Sequence, residues 1–240
     1  MIAAEMQEEF LILYDKITNF DAPGYESDEI SRFLSRAQER FVLHVYNPMG
    51  NKYLTGFEGT EKRRKDLSAL VRNAELTSAT LQAGSKSDGT FFELPTDFLY
   101  TIQEEADISS TDSCYSNSKG VEVKPITHDY YLKNKKNPYK KPYGELIWRL
   151  DFSNNGTAKR HELVTDAATT VSKYKVRYIK KPIPIITATG ITIEGVTGIS
   201  NCELSAITHR AIVDEAVAIA AGITNPETFQ IRRGEAGLAE

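Results

Sequence analysis

Four histidines are the residues of this chain best suited to acid–base or metal chemistry, because imidazole titrates near neutral pH and binds transition metals. They occur singly along the sequence, as His44, His128, His161 and His209. A lone histidine is more often a surface residue or a satisfied core residue than a catalytic base or a ligand. We therefore predict that none of the four is catalytic.

A second group of potential ligands is acidic and consists of Glu104, Glu105, Asp107 and Asp112. Their spacing does not match a Ca²⁺-binding loop, so the pattern favours a solvated acidic loop. The sequence lacks the common nucleotide-binding, hydrolase and zinc-protease motifs. Its two cysteines, Cys114 and Cys202, have no metal-type spacing. The sequence thus predicts no enzymatic activity, no cofactor and no metal.

Residues 130–143 combine positive charge with aromatic rings, a composition that suits contact with nucleic acid. The segment contains Tyr130, Tyr131, Tyr139, Tyr143, Lys133, Lys135, Lys136, Lys140 and Lys141. Thr127 is placed to begin a short helix, after which the lysine-rich residues are predicted to form an exposed loop. The same composition also suits an acidic protein partner or a simple solvated loop.

Acidic and basic side chains are segregated along the chain, although its formal net charge is only −4. Residues 1–30 contain eight acidic side chains and one lysine, whereas residues 121–150 contain seven basic and three acidic ones. A chain with one acidic and one basic surface can bind head to tail to copies of itself, and such contacts form rings when they close. Two separately solvated surfaces would give the same charge pattern.

Two amphipathic helices are predicted near the start of the chain. The first spans residues 3–18, has an apolar side formed by Met6, Phe10, Leu13, Tyr14 and Ile17, and ends before a Pro-Gly turn. Ser27 is placed to cap the second, and Asp28 and Arg32 form an i,i+4 pair on its charged side. Its predicted buried side consists of Ile30, Phe33, Leu34, Ala37, Phe41 and Val45.

The remaining elements are a third helix, a β region and a C-terminal helix. Thr60 caps the third helix, whose apolar side is predicted to continue through Val71 and Ala74. The predicted strands lie in 90–103, 120–126, 145–152, 160–165 and 172–181, with a hairpin turn at 153–157. Residues 205–223 are predicted to form a helix that is apolar over more than half of its circumference. Its apolar residues are Ile212, Val213, Ala216, Val217, Ile219, Ala220 and Ile223.

These elements predict an α+β fold: a bundle of three N-terminal helices and the C-terminal helix, with an inserted antiparallel β domain. The predicted divisions are 1–85 and 201–223 for the bundle, 86–200 for the β domain, and 224–240 for an extended arm. No apolar run approaches the roughly 20 residues that span a bilayer, and the N-terminus is acidic where a signal peptide is basic. We expect a soluble protein that is not secreted and has no membrane partner.

Four sequence patterns, taken in order, carry a family resemblance. They are "FDAPGYESDEISRFLSRAQERFV" near the start, "ELPTDFLY" after the third helix, "YIKKPIPI" at the end of the β region, and "CELSAITHRAIVDEAVAIAAG" in the last helix. Together they resemble the head-to-tail adaptor, or ring, proteins of short-tailed bacteriophages. Within that group the chain is similar to tail tubular A proteins and particularly to the ring proteins of crAss-like phages.

The resemblance implies a structural subunit that assembles, usually in twelve copies, into a ring between the portal protein and the tail. Neighbouring ring proteins would be further partners, and DNA would pass through the lumen without sequence-specific binding. The protein would be assembled in the cytoplasm of the bacterial host and would end in the virion neck. The C-terminal segment would reach toward the portal or a neighbouring copy. Candidate interface residues are Asp28, Glu29, Arg32, Arg36, Arg40, Lys133, Lys135, Lys136, Lys140, Lys141, Phe229, Arg232 and Arg233.

Two other classes of function remain open at the level of sequence. One is a nucleic-acid-binding module that uses residues 130–143, which would retain DNA with a steep dependence on salt. The other is a carbohydrate-binding tail component, which would need exposed aromatic side chains on the β domain.

Overall fold

The computed structural model describes residues 1–18, 24–47, 56–77, 89–111, 116–154, 158–166 and 168–224, and these form an α+β protein. The α-helices among them are α1 (Ala3–Thr18), α2 (Ser27–Tyr46), α3 (Glu61–Leu67), α4 (His128–Asn134) and α5 (His209–Thr224). The longer strands are β1 (Val71–Leu76), β2 (Gly89–Glu93), β3 (Phe98–Ser110), β4 (Val121–Pro125), β5 (Leu146–Asn154), β6 (Ala158–Val164) and β7 (Thr169–Lys180). A short hairpin follows, formed by β8 (Thr192–Ile193) and β9 (Val196–Thr197).

The chain divides into two compact units. The helical unit contains Met1–Leu70 and Pro182–Glu240, and the sheet unit is the continuous segment Val71–Lys181. In the sequence, the segment of the sheet unit thus lies between the two segments of the helical unit. The units divide at 70/71 and 181/182, whereas the sequence pattern places the divisions at 85/86 and 200/201.

In the helical unit, α1 and α2 both pack against α5. The predicted apolar side of α1 is confirmed at Met6, Phe10 and Tyr14, whose side chains are buried. Most of the predicted apolar residues of α5 are also buried, namely Ile212, Val213, Ala216, Val217, Ile219 and Ala220. Ile223 is an exception, with 65% exposure. The helical period does not encode whether neighbouring elements extend as far as the last turn, so this residue was assigned wrongly.

Polar residues on the buried side of α2 bind an extended segment that belongs to the same unit. Ser35 Oγ accepts a hydrogen bond from the backbone N–H of Ile185 at 3.0 Å, and Gln38 Nε2 donates to the carbonyl oxygen of Ile183 at 2.9 Å. Ser31 Oγ likewise accepts from the Thr187 N–H at 3.1 Å. Because buried backbone groups need partners, these side chains attach residues 183–187 to the helix.

The third helix is shorter than predicted. Its cap is confirmed, since Thr60 Oγ1 accepts from the Arg63 N–H at 3.3 Å. The α-helix ends at Leu67, however, and Val71 begins strand β1, which pairs antiparallel with β7. The prediction that Val71 and Ala74 extend the helix is therefore wrong. The local pattern of apolar residues fits a helix as well as it fits a half-buried edge strand. Hydrogen bonds to the distant strand β7 decide in favour of the strand.

The sheet unit consists of a seven-stranded sheet in the order β1-β7-β3-β4-β5-β6-β2. The five strand segments predicted from composition are all confirmed as strands. The sheet is not purely antiparallel as predicted, because β4 and β5 pair in parallel. Parallel neighbours require a crossover connection, and here the connection contains α4.

The sheet curls so that distant strands enclose a common core. The rings of Phe92 on β2 and Tyr174 on β7 have centroids 5.4 Å apart, although these strands are far apart in the sheet order. The ring of His161 on β6 lies 5.8 Å from that of Tyr174. The inner faces of β7 and of the β6–β2 edge therefore face each other across the core of this unit.

Candidate assembly surfaces and a buried polar cluster

The exposed side of α2 carries a row of charged residues at helical spacing. Arg32 Nε forms the predicted ion pair with Asp28 Oδ2, at 3.0 Å. Arg40 Nη1 reaches Glu215 Oε1 of α5 at 3.1 Å. Arg36 is exposed and has no ion pair within the described part of the chain. These predicted interface residues thus lie on one face of α2. Two of the three arginines, Arg32 and Arg40, form ion pairs within the same subunit.

The start of α2 is capped by different residues from the one predicted. Glu26, not Ser27, occupies the N-cap, and Glu29 Oε2 accepts a hydrogen bond from the Glu26 N–H at 3.0 Å. This is the return bond of a capping box, in which an acid at N3 satisfies an otherwise unpaired N–H group. Ser27 Oγ instead accepts from Gln7 Nε2 of α1 at 3.0 Å. The acidic first turn therefore stabilises the helix within the subunit.

A second acidic face lies on α1 and was not singled out from the sequence. Glu5, Glu8 and Ile12 are exposed on the side of α1 opposite the buried Met6 and Phe10. Ile12 is 56% exposed. We refer to Glu5, Glu8 and Ile12 as the α1 outer face. Their i, i+3, i+7 spacing places them on one side of a helix, but the total charge of residues 1–30 does not distinguish them from the other acidic residues of that region.

The lysine-rich segment is held on the sheet unit by aromatic packing. Its predicted cap is confirmed, because Thr127 Oγ1 accepts from the Tyr130 N–H at 3.2 Å. The rings of Tyr130 and Tyr131 meet Trp148 edge to face, with centroids 5.7 and 6.3 Å from the indole. Trp148 is 1% exposed. Two of the four tyrosines that suggested a binding surface are therefore anchors of α4.

The five predicted lysines lie on an exposed projection, residues 133–141, which we call the lysine knob. Lys133 Nζ pairs with Asp129 Oδ2 at 2.7 Å, and Lys135 Nζ lies 5.6 Å from the centroid of the Tyr131 ring. The other three lysines, Lys136, Lys140 and Lys141, have no ion pair among the described residues. Exposure is confirmed, and these three charges are available to a partner.

The tip of the lysine knob is a compact turn. The carbonyl oxygen of Asn137 accepts from the N–H groups of Lys140 and Lys141 at 3.2 and 2.9 Å. Asn137 Oδ1 also accepts from the Tyr139 N–H at 3.0 Å, as asparagine commonly does in turns. These bonds fix the backbone on both sides of Tyr139, whose side chain is 95% exposed.

Three further predicted interface residues, Phe229, Arg232 and Arg233, lie outside the described residues. The same is true of Asp112 and of the tip of the predicted hairpin turn, although β5 and β6 pair as that hairpin requires. Among the described residues, no group of three or more His, Cys, Asp or Glu side chains could hold a metal ion. None of the helices in the described ranges is both long and apolar enough to cross a membrane.

The acidic cluster is not a solvated loop, because its first member is buried in the sheet unit. Glu104 lies on β3 with a side chain that is 5% exposed, and its Oε1 atom is 2.8 Å from Arg149 Nη1. The same oxygen accepts a hydrogen bond from the Tyr174 hydroxyl at 2.9 Å. A surface loop was predicted because charge usually indicates exposure, whereas a buried carboxylate requires partners from distant strands that sequence spacing does not reveal.

His161 completes this cluster and is held neutral in it. Its Nδ1 lies 2.8 Å from the Tyr174 hydroxyl and its Nε2 lies 3.2 Å from Arg149 Nη1. Because arginine only donates, Nε2 accepts and the proton is on Nδ1, so the Tyr174 oxygen accepts from His161 and its hydroxyl donates to Glu104. Burial, assisted by the charge of Arg149, lowers the pKa of His161 to about 3. His161 is thus a satisfied core histidine, one of the two roles that a lone histidine most often has.

The other groups in the cluster are tuned by the same burial. Desolvation raises the pKa of Glu104, and the neighbouring Arg149 opposes that shift. The pKa of Tyr174 is also raised, first by burial and then by the charge of Glu104. Hydrogen bonds run from Arg149 to Glu104 and His161, from His161 to Tyr174 and from Tyr174 to Glu104, whereas the buried Nε–H of Arg149 has no partner among the described residues. The network is therefore connected but not fully satisfied.

We expect the protein to lose stability as the pH falls below 6.5. His161 titrates near 6.5 when unfolded and near 3 when folded, so only the unfolded chain binds a proton between these values. Its contribution is therefore fully present above pH 6.5 and decreases by up to about 1.4 kcal/mol per pH unit below it. Urea unfolding at pH 7.0, 6.0 and 5.5 measures this slope.

Two variants separate this effect from other titrations. His161→Gln removes the imidazole. The slope of the free energy of unfolding against pH should then decrease by up to about 1.4 kcal/mol per pH unit, whatever the substitution does to the absolute stability. The matched control His128→Gln replaces an exposed histidine on α4 and measures what the loss of an imidazole outside the cluster does to the slope. An unchanged slope in His161→Gln would show that the folded state does not exclude the proton.

Comparison with known proteins gives matches along most of the chain. A family model described as phage tail ring protein 3/4 matches residues 1–229. The chain is 33% identical over 224 residues to ring protein 4/5 of Bacteroides phage crAss001, and the alignment covers 90% of each chain. It is 36% identical over 198 residues to ring protein 3 of that phage, which covers 80% of this chain and 83% of the relative.

Proposed function

The chain belongs to the phage tail ring protein 3/4 family, as its resemblance to crAss-like ring proteins predicted, and we propose that it is a structural subunit of the phage neck. In this role, twelve copies form a ring that connects the portal to the tail and lines the channel through which DNA leaves the head. The observation that carries the proposal is the match to ring proteins over residues 1–229. The ring assembles in the bacterial host and functions in the virion, with other ring proteins as neighbours.

The distribution of charge supports assembly through contacts between copies. The helical unit carries acidic side chains on α1 and at the start of α2, and the sheet unit carries the lysine knob. A contact between two such different surfaces is heterologous, which is the type of contact that generates rings. The exposed α2 arginines, and the C-terminal segment with Phe229, Arg232 and Arg233, are the proposed contacts with the portal or a neighbouring ring.

The test is to mix the purified chain with the portal ring of the same phage and follow both by analytical ultracentrifugation at moderate salt. Co-sedimentation with about one copy per portal subunit is expected for a connector. A chain that stays monomeric, alone and with the portal, would contradict the proposed function. Binding to DNA with a steep salt dependence, without assembly, would favour the nucleic-acid-binding module.

Reversing the acidic first turn of α2 should weaken ring formation more than it weakens the subunit. In the Asp28→Lys/Glu29→Lys variant, the hydrogen bond from the Glu26 N–H to the Glu29 carboxylate is lost. The lysine introduced in place of Asp28 repels Arg32, and together these changes cost about 1 kcal/mol. The association constant of the subunits should decrease by about tenfold, because the variant presents positive charge to a basic partner where the wild type presents negative charge. Urea unfolding and sedimentation measure the two effects.

The matched control is Asp28→Asn/Glu29→Gln, which keeps a side-chain oxygen at the N3 position while it removes the charge. This variant should retain the stability of the subunit and show an intermediate loss of assembly. If both variants lose assembly only in proportion to their loss of stability, these two residues act in capping alone.

A further inference from the structure

Tyr139 has the properties of a preformed binding anchor. It is more exposed than any other large hydrophobic side chain in the described part of the chain. The turn bonds from Asn137 fix the backbone on either side of it, so little backbone freedom remains to be lost on binding. Tyrosine is enriched among the residues that dominate protein interfaces, because it offers a large apolar ring with a polar end. The unpaired Lys136, Lys140 and Lys141 surround this anchor with positive charge.

The α1 outer face has the complementary arrangement. Ile12 is 56% exposed, and it shares with Glu5 and Glu8 the side of the helix that faces away from the core. Ile12 offers an apolar contact to the ring of Tyr139, and the neighbouring carboxylates offer negative charge to the lysines. The two surfaces are therefore complementary in both apolar surface and charge. Duplex DNA offers phosphates to the lysines but no comparable apolar surface to the ring.

We propose that the lysine knob of one copy docks on the α1 outer face of the next copy, with Tyr139 against Ile12 and the knob lysines facing Glu5 and Glu8. This inference rests on the proposed function, since it names the surfaces through which ring subunits join. The contact uses different surfaces on its two sides, so each copy can bind one neighbour through its knob and another through α1. The exposed tyrosine supplies the apolar centre of the contact, and the charges supply orientation and rate of association.

Charge exchange between two variants provides the test. Lys136→Glu/Lys140→Glu/Lys141→Glu places an acidic knob against an acidic α1, and Glu5→Lys/Glu8→Lys places a basic α1 against a basic knob. Each variant alone should assemble at least about tenfold more weakly than the wild type in analytical ultracentrifugation. Mixed in equal amounts they should assemble again, because each type of knob then meets a complementary α1 on the other variant. Unchanged circular dichroism spectra establish that each variant is folded.

Tyr139→Ala tests the anchor separately from the charge. Truncation of a central anchor should weaken assembly by about thirtyfold or more, whereas the matched control Lys124→Ala, an exposed lysine on β4 outside the knob, should leave it near the wild-type level. Unimpaired assembly of Tyr139→Ala would overturn the proposal.

The remaining outcomes separate the two levels of inference. If the wild type forms rings and each charge variant alone assembles equally well, the proposed contact is wrong and the proposed function stands. Failure of the mixture to assemble would overturn the assignment of α1 as the partner surface. Wild-type protein that remains monomeric, alone and with the portal ring, would contradict the ring function itself. Variants that assemble normally but lose salt-dependent binding of a DNA oligonucleotide would overturn the contact in favour of nucleic acid.

Discussion

Replacing Glu104 with alanine is expected to destabilise the sheet unit by about 3–5 kcal/mol. Its carboxylate accepts from Arg149 at 2.8 Å and from Tyr174 at 2.9 Å, and the side chain is 5% exposed. Without it, the guanidinium of Arg149, itself 12% exposed, keeps only Asp151 as a counter-charge among the described residues, at 3.6 Å. The Tyr174 hydroxyl also loses the acceptor for its proton. Urea unfolding followed by the fluorescence of Trp148, the single tryptophan of the chain, measures the loss.

A surface ion pair in the same sheet provides the matched control. Glu75 Oε2 on β1 lies 3.6 Å from Lys173 Nζ on β7, and the two side chains are 65% and 52% exposed. Solvent screens such a pair, so Glu75→Ala should cost less than about 1 kcal/mol. If Glu104→Ala were no more destabilising than Glu75→Ala, the buried cluster would not contribute to the stability of the sheet unit.

Replacing Trp148 with alanine is expected to cost about 3–5 kcal/mol and to loosen the attachment of α4. The indole is 1% exposed and packs with Leu150 and Val164. It also receives the rings of Tyr130 and Tyr131, which attach α4 to the sheet. Thermal unfolding followed by circular dichroism measures the global effect. Hydrogen exchange measures the local effect, as faster exchange of the amide of Tyr131, which bonds to the Thr127 carbonyl at 3.0 Å.

Trp148→Phe separates aromatic support from volume. Phenylalanine keeps a ring for the two tyrosines to contact, so its loss of stability should be smaller and the exchange rate of the α4 amides should stay closer to that of the wild type. If Trp148→Ala left these amides protected, α4 would be held by contacts other than the indole. In that case the lysine knob would not depend on the sheet core for its position.

The candidate surfaces were predictable to the extent that they depend on local composition. Five lysines within nine residues indicate an exposed projection, and the arginines of α2 recur on the side opposite its apolar residues. The sequence could not distinguish Tyr130 and Tyr131, which are anchors, from Tyr139, which is free for a partner. That difference depends on the distance of each ring from Trp148, which lies on a separate strand. Ile12 differs from these tyrosines, because the helical period alone places it on the side of α1 opposite the buried Met6 and Phe10.

Local physical chemistry, by itself, determined the types of element and many of their ends. The periods of apolar residues distinguish α1, α2 and α5 from the strands, and Thr60 and Thr127 cap helices as their side-chain chemistry predicts. These features depend on residues within a turn or two of one another, and the sequence lists such neighbours directly. The order of the four family patterns was equally a property of the chain alone.

Only the tertiary structure decided which segments become partners. Val71 is in a strand because β7 offers it hydrogen bonds, and Glu104 is buried because Arg149 and Tyr174 arrive from other strands. Pairing of β4 with β5 in parallel follows from the crossover that contains α4. In each case the stabilising interaction joins residues far apart in the chain, so its free energy cannot be read from the local sequence on either side.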